Sequence, residues 1–266
     1  MKTAAALRTV GIIGTGSMGG AIAIRLASLE TLRLVVFGRR PNPRLPAGVE
    51  QAADAATLAA MADILIVAVK PYHVEALAES IRSSLRPGTI VVSLAAGVPM
   101  LRLYDWFGQQ VRVVRAMPNV AAEVGASVTA LYSESSEALT ETTALFQHVG
   151  TPVPLATESL MHAFIGVAGS APAFAFLFAE ALADGAVAEG MPRVDARRAA
   201  AAMLRGAALL MEAHAGTPAE LKDRVASPGG TTIEGIHALE KGGFRNAVMD
   251  AVRASAVRSR QMEAKS

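Results

Sequence analysis

The chain contains no cysteine, so disulfides, thiolate nucleophiles and cysteine-ligated metals are excluded. A cysteine-free composition fits an intracellular protein, and a cytoplasmic location is expected. Aromatic residues make up only 5% of the 266 residues. Lys and Arg form no basic run with interleaved aromatics, and the net charge is only +2, so nucleic-acid binding is not expected. The five histidines, His73, His148, His162, His214 and His237, fall into no metal-ligand spacing, so no metal site is expected. There is no G-x-S-x-G element, which disfavours serine hydrolysis. The lead Met1–Arg8 is too short to be read as a signal peptide and runs straight into a strand-like segment. What remains open is chemistry that asks no strong acid, base or metal of the protein. Reduction of a C=N bond qualifies, because a protonated imine already carries its activating charge.

Hydrophobic residues make up 52% of the chain and charged residues 18%, enough to build a packed core. The segment from Ser159 to Ala179 contains no Asp, Glu, Lys or Arg. A membrane span needs about 20 apolar residues. This run, however, carries His162, Gly166, Gly169, Ser170 and Pro172 and is flanked by Glu158 and Glu180. It reads better as a helix buried in a subunit interface, and no membrane is expected.

Apolar runs at Val10–Ile13, Leu32–Phe37, Ile64–Val69, Ile90–Leu94, Val111–Val114 and Val128–Tyr132 read as strands. Helical stripes lie between several of them, such as Met18, Ala21, Ile22, Leu26 and Leu29, or Val74, Leu77, Ala78, Ile81 and Leu85. This alternation predicts an α/β fold, a Rossmann-type doubly wound parallel sheet covered on both faces. The character changes near Pro152–Thr157. Beyond it only helical spacing recurs, from Leu160 to Met211 and from Ile233 to Val257. The expected domains are residues 1–155, binding the dinucleotide, and 156–266, all-helical, for dimerisation and substrate binding.

Gly14-Thr15-Gly16-Ser17-Met18-Gly19 fits G-x-G-x-x-G after an apolar strand and at the start of a helical stripe. The glycines would serve a tight turn, approach to a pyrophosphate, and close helix packing, with the free amides of the helix N-terminus meeting the phosphates. The alternative is an ordinary strand–helix turn. The second strand ends in Phe37-Gly38-Arg39-Arg40, where an NAD site would place an acid; two guanidinium groups suit the 2′-phosphate of NADPH instead. Solvated surface arginines are the plainer account. Later strands end in Ala68-Val69-Lys70-Pro71, Ala95-Ala96-Gly97 and Met117-Pro118-Asn119, at the edge where ligands of open α/β sheets lie. We therefore expect the cofactor to touch these motifs, in particular Ala68 to Pro71, Ala95, Gly97 and Asn119. In the second half, Ser227-Pro228-Gly229-Gly230-Thr231-Thr232 precedes a helical run and can offer several N–H and O–H donors to one anion, a substrate carboxylate being the natural candidate. The alternative is a helix start capped by its own hydroxyls.

Taken together, these motifs resemble the pyrroline-5-carboxylate reductase family. The resemblance spans essentially the whole chain and includes Gly169-Ser170-Ala171-Pro172-Ala173, Glu180-Ala181-Leu182-Ala183-Asp184-Gly185 and Gly190-Met191-Pro192-Arg193 beside the segments above. It implies NAD(P)H-dependent reduction of pyrroline-5-carboxylate to L-proline. It also implies an interlocked homodimer, often built into a pentamer of dimers, in which Ser227, Gly230, Thr231 and Thr232 hold the substrate carboxylate across the interface. Between 162 and 174 the chain departs from the family, which usually reads Asp-Ala-Val-Thr-Ala-Leu-Ser-Gly-Ser-Gly-Pro-Ala-Tyr. Here His162, Ile165, Ala168 and Phe174 replace Asp, Thr, Ser and Tyr. The lost Thr hydroxyl is the one the family places near the imine nitrogen. Two alternatives follow: reduction of a related cyclic imine, methylated or six-membered, or a non-catalytic NADPH-binding paralogue, against which the intact Ser227–Thr232 segment argues.

Overall fold

The computed structural model describes residues 7–264, so the first six residues of the lead segment lie outside it. It divides into two compact units. One comprises the chain up to Ser170 together with the residues from Ala254 onward; the other is Ala171–Arg253. The segment that follows the expected change near residue 155 thus begins within the first unit, and the C-terminal helix returns to it.

The first unit holds one eight-stranded sheet: β1 (Arg8–Ile13), β2 (Leu32–Phe37), β3 (Glu50–Gln51), β4 (Ile64–Val67), β5 (Ile90–Ser93), β6 (Arg112–Met117), β7 (Ser127–Tyr132) and β8 (Gly150–Pro154), in the order 3-2-1-4-5-6-7-8. Its helices include α1 (Ser17–Leu26), α2 (Ala55–Met61), α3 (Val74–Ile81), α4 (Met100–Phe107) and α5 (Ser136–Phe146). In β4 the period of two is visible in the packing. Ile64 and Ile66 join Ile22 and Leu26 of α1 on one face, while Leu65 and Val67 join Val74, Ala78 and Ile81 of α3 on the other. Asp54 caps α2 by accepting from the Thr57 amide at 2.7 Å, which holds its carboxyl below the ordinary value.

Two features depart from an all-parallel reading. β6 and β7 pair antiparallel. The connection between them, residues 118–126, is shorter than the dozen or so residues that a parallel crossover needs. β8 then lies parallel to β7 at the open edge, and it contains Pro152 and Pro154. Leu155 donates its amide to Leu131 of β7. Because successive amides of a strand point to opposite sides, the two proline nitrogens face the open edge, where no partner is needed. The prolines that signal the end of the strand pattern in the sequence therefore protect the edge of the sheet.

After α6 (Leu160–Phe164) comes a π-helical turn, Ile165–Gly169. The second unit continues with α7 (Ala171–Ala188), α8 (Arg193–Ala213), α9 (Pro218–Val225), α10 (Thr231–Lys241) and the start of α11 (Phe244–Glu263). Inside this unit few side chains of α7 and α8 are buried, only Ala183, Ala196 and Ala200, whereas Phe176 and Leu177 are each 66% exposed. The continuous helix Leu160–Ala188 is long and apolar enough to cross a membrane by length and composition alone.

Candidate active site

The glycine-rich turn is built by the ends of three strands. Gly14 donates its amide to Phe37 of β2, and Ala68 donates to Ile13 of β1 (both 2.8 Å). Gly14 has φ +99°, and a Cβ there would stand 2.8 Å from the Ala68 carbonyl carbon and oxygen. A Cβ on Gly19 would lie 2.0 Å from the Gly14 carbonyl oxygen, so α1 packs on the turn as only glycine permits. Gly16 is different: it faces open space, and it is the N-cap of α1 without any side chain capping the helix. The unfilled first-turn amides and the approach left by Gly16 fit a dinucleotide pyrophosphate.

On the β2 side, Arg39 and Arg40 are exposed, as is Lys70 beyond β4. Among the described residues none of the three is paired with a carboxylate; Arg39 Nη2 lies 3.5 Å from His73 Nε2. Nearby, Asn42 is a supporting residue absent from the sequence reading. Its Nδ2 donates to the Thr15 carbonyl (2.9 Å) and its Oδ1 accepts from the Arg44 amide (2.9 Å), so it ties the loop after β2 to the glycine turn. Its setting between Pro41 and Pro43, straight after the arginines, was the available signal, since Asn in such loops often bonds the backbone.

Ala95 and Gly97 follow β5, and both are buried. Asn119 is buried too, and its side chain is occupied within the protein. Oδ1 accepts from Ala121, and Nδ2 donates to the Ala168 carbonyl at 3.0 Å. The reason lies in Pro172, which has no N–H to give the carbonyl four residues earlier. Ser170 bonds back to Ile165 instead (2.7 Å), making the π turn, and Asn119 satisfies the oxygen that remains. The departures from the family pattern also acquire local partners. His162 Nδ1 lies 2.9 Å from Ser259 Oγ, and Ile165 packs into an apolar cluster with Met161, Phe164 and Val128.

In the second unit, α9 begins with a reciprocal box: Glu220 Oε2 accepts from the Thr217 amide (2.6 Å), and Thr217 Oγ1 accepts from the Glu220 amide (3.3 Å). α10 has no such device. Gly230 is its N-cap, and neither Ser227, Thr231 nor Thr232 caps it by a side-chain hydrogen bond. Ser227 folds back so that a Cβ on Gly230 would come within 2.3 Å of its Oγ, while Gly229 takes φ +65°. The segment thus keeps free donors at its start, which a plain capped helix would have consumed.

Comparison with known proteins gives two matching family descriptions. Residues 158–262 match "Pyrroline-5-carboxylate reductase dimerisation", and residues 9–97 match "NADP oxidoreductase coenzyme F420-dependent". The pyrroline-5-carboxylate reductase of Methanosarcina acetivorans is 38% identical over 95% of this chain and 97% of its own. That of Escherichia coli is 38% identical over 92% and 94%. Among solved structures, a Plasmodium falciparum pyrroline carboxylate reductase with NADP bound superposes with a TM-score of 0.85 at 27% identity, covering 96% of this chain and 98% of that one.

Proposed function

The chain belongs to the pyrroline-5-carboxylate reductase family, and from that membership we infer that it reduces the C=N bond of pyrroline-5-carboxylate to L-proline with NADP(H) as cofactor. The glycine turn after β1 and the ends of β4 and β5 would hold NADPH along the carboxyl edge of the sheet, and the cofactor would supply the hydride for the imine carbon. The observation that carries the reading is the pairing of relatives similar over nearly the full length with a glycine turn in which packing requires Gly14 and Gly19 while Gly16 leaves open space for a close-lying ligand.

The residues then divide the work. Gly14, Gly16 and Gly19 set the pyrophosphate cradle, with Thr15, Ser17 and Met18 between them. Arg39 and Arg40 take the 2′-phosphate and favour NADPH over NADH. Ala68 to Pro71 and the Ala95–Gly97 turn border the cofactor along the edge, and Asn119 braces that border rather than contacting the ligand. Ser227 and Thr232, with the amides of Gly230 and Thr231, hold the substrate carboxylate. No protein acid is required at the imine nitrogen if the substrate binds protonated, which is compatible with Ile165 having apolar neighbours. We place the protein in the cytoplasm, on the ground of its cysteine-free composition.

The anchor has a direct test. Thr232→Val keeps the shape and removes the hydroxyl. Losing a hydrogen bond to a charged group is worth about 1.5–3 kcal/mol, so kcat/KM for pyrroline-5-carboxylate should fall roughly 10–100-fold while the Kd for NADPH stays constant. An unchanged rate would reduce the segment to a helix start.

The apolar helices of the second unit should be covered by a second copy of the chain. A lipid-facing helix would be apolar over its length, but Leu160–Ala188 carries Glu180 and Asp184, the latter paired with Arg193. Obligate interfaces bury on the order of 2,000 Å² or more, mostly apolar, which suits exposed Phe176, Leu177, Leu209 and Met211. Light scattering without detergent should give at least twice the 27.5 kDa of one chain, a pentamer of dimers being the larger form expected. A folded monomer at micromolar concentration would contradict the dimer.

A further inference from the structure

We propose that Arg115, Glu158, Glu263 and His162 form a positioning cluster that holds the turn between β5 and α4, residues 94–99, in place for the nicotinamide half of the cofactor; the proposal rests on the NADP(H) reading above. Arg115 projects from β6 and is only 4% exposed. A buried guanidinium is stable only with its charge matched and its donors used. Two carboxylates do this: Glu158, and Glu263 through Nη2–Oε2 at 2.9 Å.

Both acidic residues also meet the same turn, Glu158 through its carboxylate and Glu263 through the backbone of its helix. Glu158 Oε1 also accepts from the amide of Met100 at 2.7 Å, the first residue of α4, so it fixes the end of the turn. Glu263 belongs to the last turn of α11, which lies against Gly97. A Cβ on Gly97 would stand 3.5 Å from the Glu263 nitrogen and 3.5 Å from Met262 Cβ, and Gly97 itself has φ +75°. His162 completes the grip. Its Nδ1 pairs with Ser259 Oγ, one turn earlier on α11, and its Nε2 lies 3.6 Å from Glu263 Oε1. The His at a position where the family usually has Asp is thereby accounted for by α11.

The place of the turn gives the cluster its purpose. The glycine turn follows β1, and the arginines read the adenosine side beyond β2. A dinucleotide crosses the sheet at the point where strand order reverses, here between β1 and β4, so its other half faces the ends of β4 and β5. Residues 94–99 are the β5 end. Leu94 and Val98 pin the two sides of the turn to the core, but its middle, Ala95-Ala96-Gly97, has little side chain of its own, and the ionic cluster adds the rigidity that a precise hydride geometry needs.

The test uses the full chain and two ligands: NADPH, and 2′-phospho-ADP-ribose, which lacks the nicotinamide. Glu263→Gln keeps the size and removes the charge. It should weaken NADPH binding about fivefold or more, as one charge-assisted contact warrants, and shift the fragment by less than about twofold. Equal weakening of both ligands, or of neither, overturns the proposal. Ser259→Ala, which removes only the hydroxyl partner of His162, should act in the same direction and more weakly. Hydrogen exchange in the unliganded chain provides the independent reading. Amides of residues 95–100 should exchange faster in Glu263→Gln than in the wild type, with residues 10–16 unchanged. Unaltered exchange at 95–100 also overturns it. If the wild type bound neither ligand, the cofactor reading would fall, and the exchange result would still decide the positioning role.

Discussion

Changing Arg39 and Arg40 together to alanine should raise the KM for NADPH by at least about an order of magnitude and leave NADH nearly untouched. Both side chains stand exposed just past the end of β2, and neither is paired with a carboxylate among the described residues. They are therefore available to an incoming 2′-phosphate without first breaking an internal salt bridge. Each charge-assisted hydrogen bond is worth about 1.5–3 kcal/mol, so removing both guanidinium groups predicts a change well above tenfold even after solvent screening. NADH carries no 2′-phosphate, and no acid stands at this position to hold its ribose. The ratio of the two Michaelis constants at fixed ionic strength is the measurement. A wild type that already prefers NADH would remove the basis of the argument.

The other large effect concerns the glycine turn, where two neighbouring positions should fail differently. Gly19→Ala puts a Cβ 2.0 Å from the Gly14 carbonyl oxygen and 2.8 Å from Ala68 Cβ. Backbone cannot yield there without moving α1 off the sheet, and overpacking of this kind costs about 1–3 kcal/mol of stability. The displaced helix N-terminus would also lose its aim at the pyrophosphate. Weakening two or three charge-assisted hydrogen bonds at once predicts a fall in NADPH affinity of roughly a hundredfold or more. Gly16→Ala meets nothing within 4 Å and keeps an ordinary φ of −68°. Its stability should change by no more than about 1 kcal/mol, the range of N-cap exchanges, while its new methyl stands in the phosphate approach. Thermal melts and NADPH titrations on both variants separate the cases. Normal NADPH binding by Gly19→Ala would show that the turn is not the cradle.

Much of this was legible in the sequence because its causes are local. The strand runs are continuous and apolar since β1, β4 and β5 are covered on both faces, and a period of two or of 3.6 is written directly in neighbouring residues. The glycine motif is partly local: its three glycines lie within six residues and a Cβ on Gly19 would strike the Gly14 carbonyl oxygen, whereas the constraint on Gly14 comes from Ala68 beyond β4. The boundary near Pro152 was less legible, because the prolines of β8 imitate a break. Whether a proline ends a strand or guards its edge depends on which neighbour the strand has.

The chain by itself determined the α/β order, the helical second half, the tight glycine turn after β1 and the two arginines beyond β2. Tertiary structure alone decided the antiparallel β6–β7 pair, the role of Asn42, the capture of the Ala168 carbonyl by Asn119 and the ionic cluster around Arg115. Arg115 and Glu263 are separated by 148 positions, and no periodicity links them. A buried charge selects its partner by what the fold brings within about 3 Å, and that distance is set by the packing of the sheet and α11 rather than by any residue's neighbours in sequence.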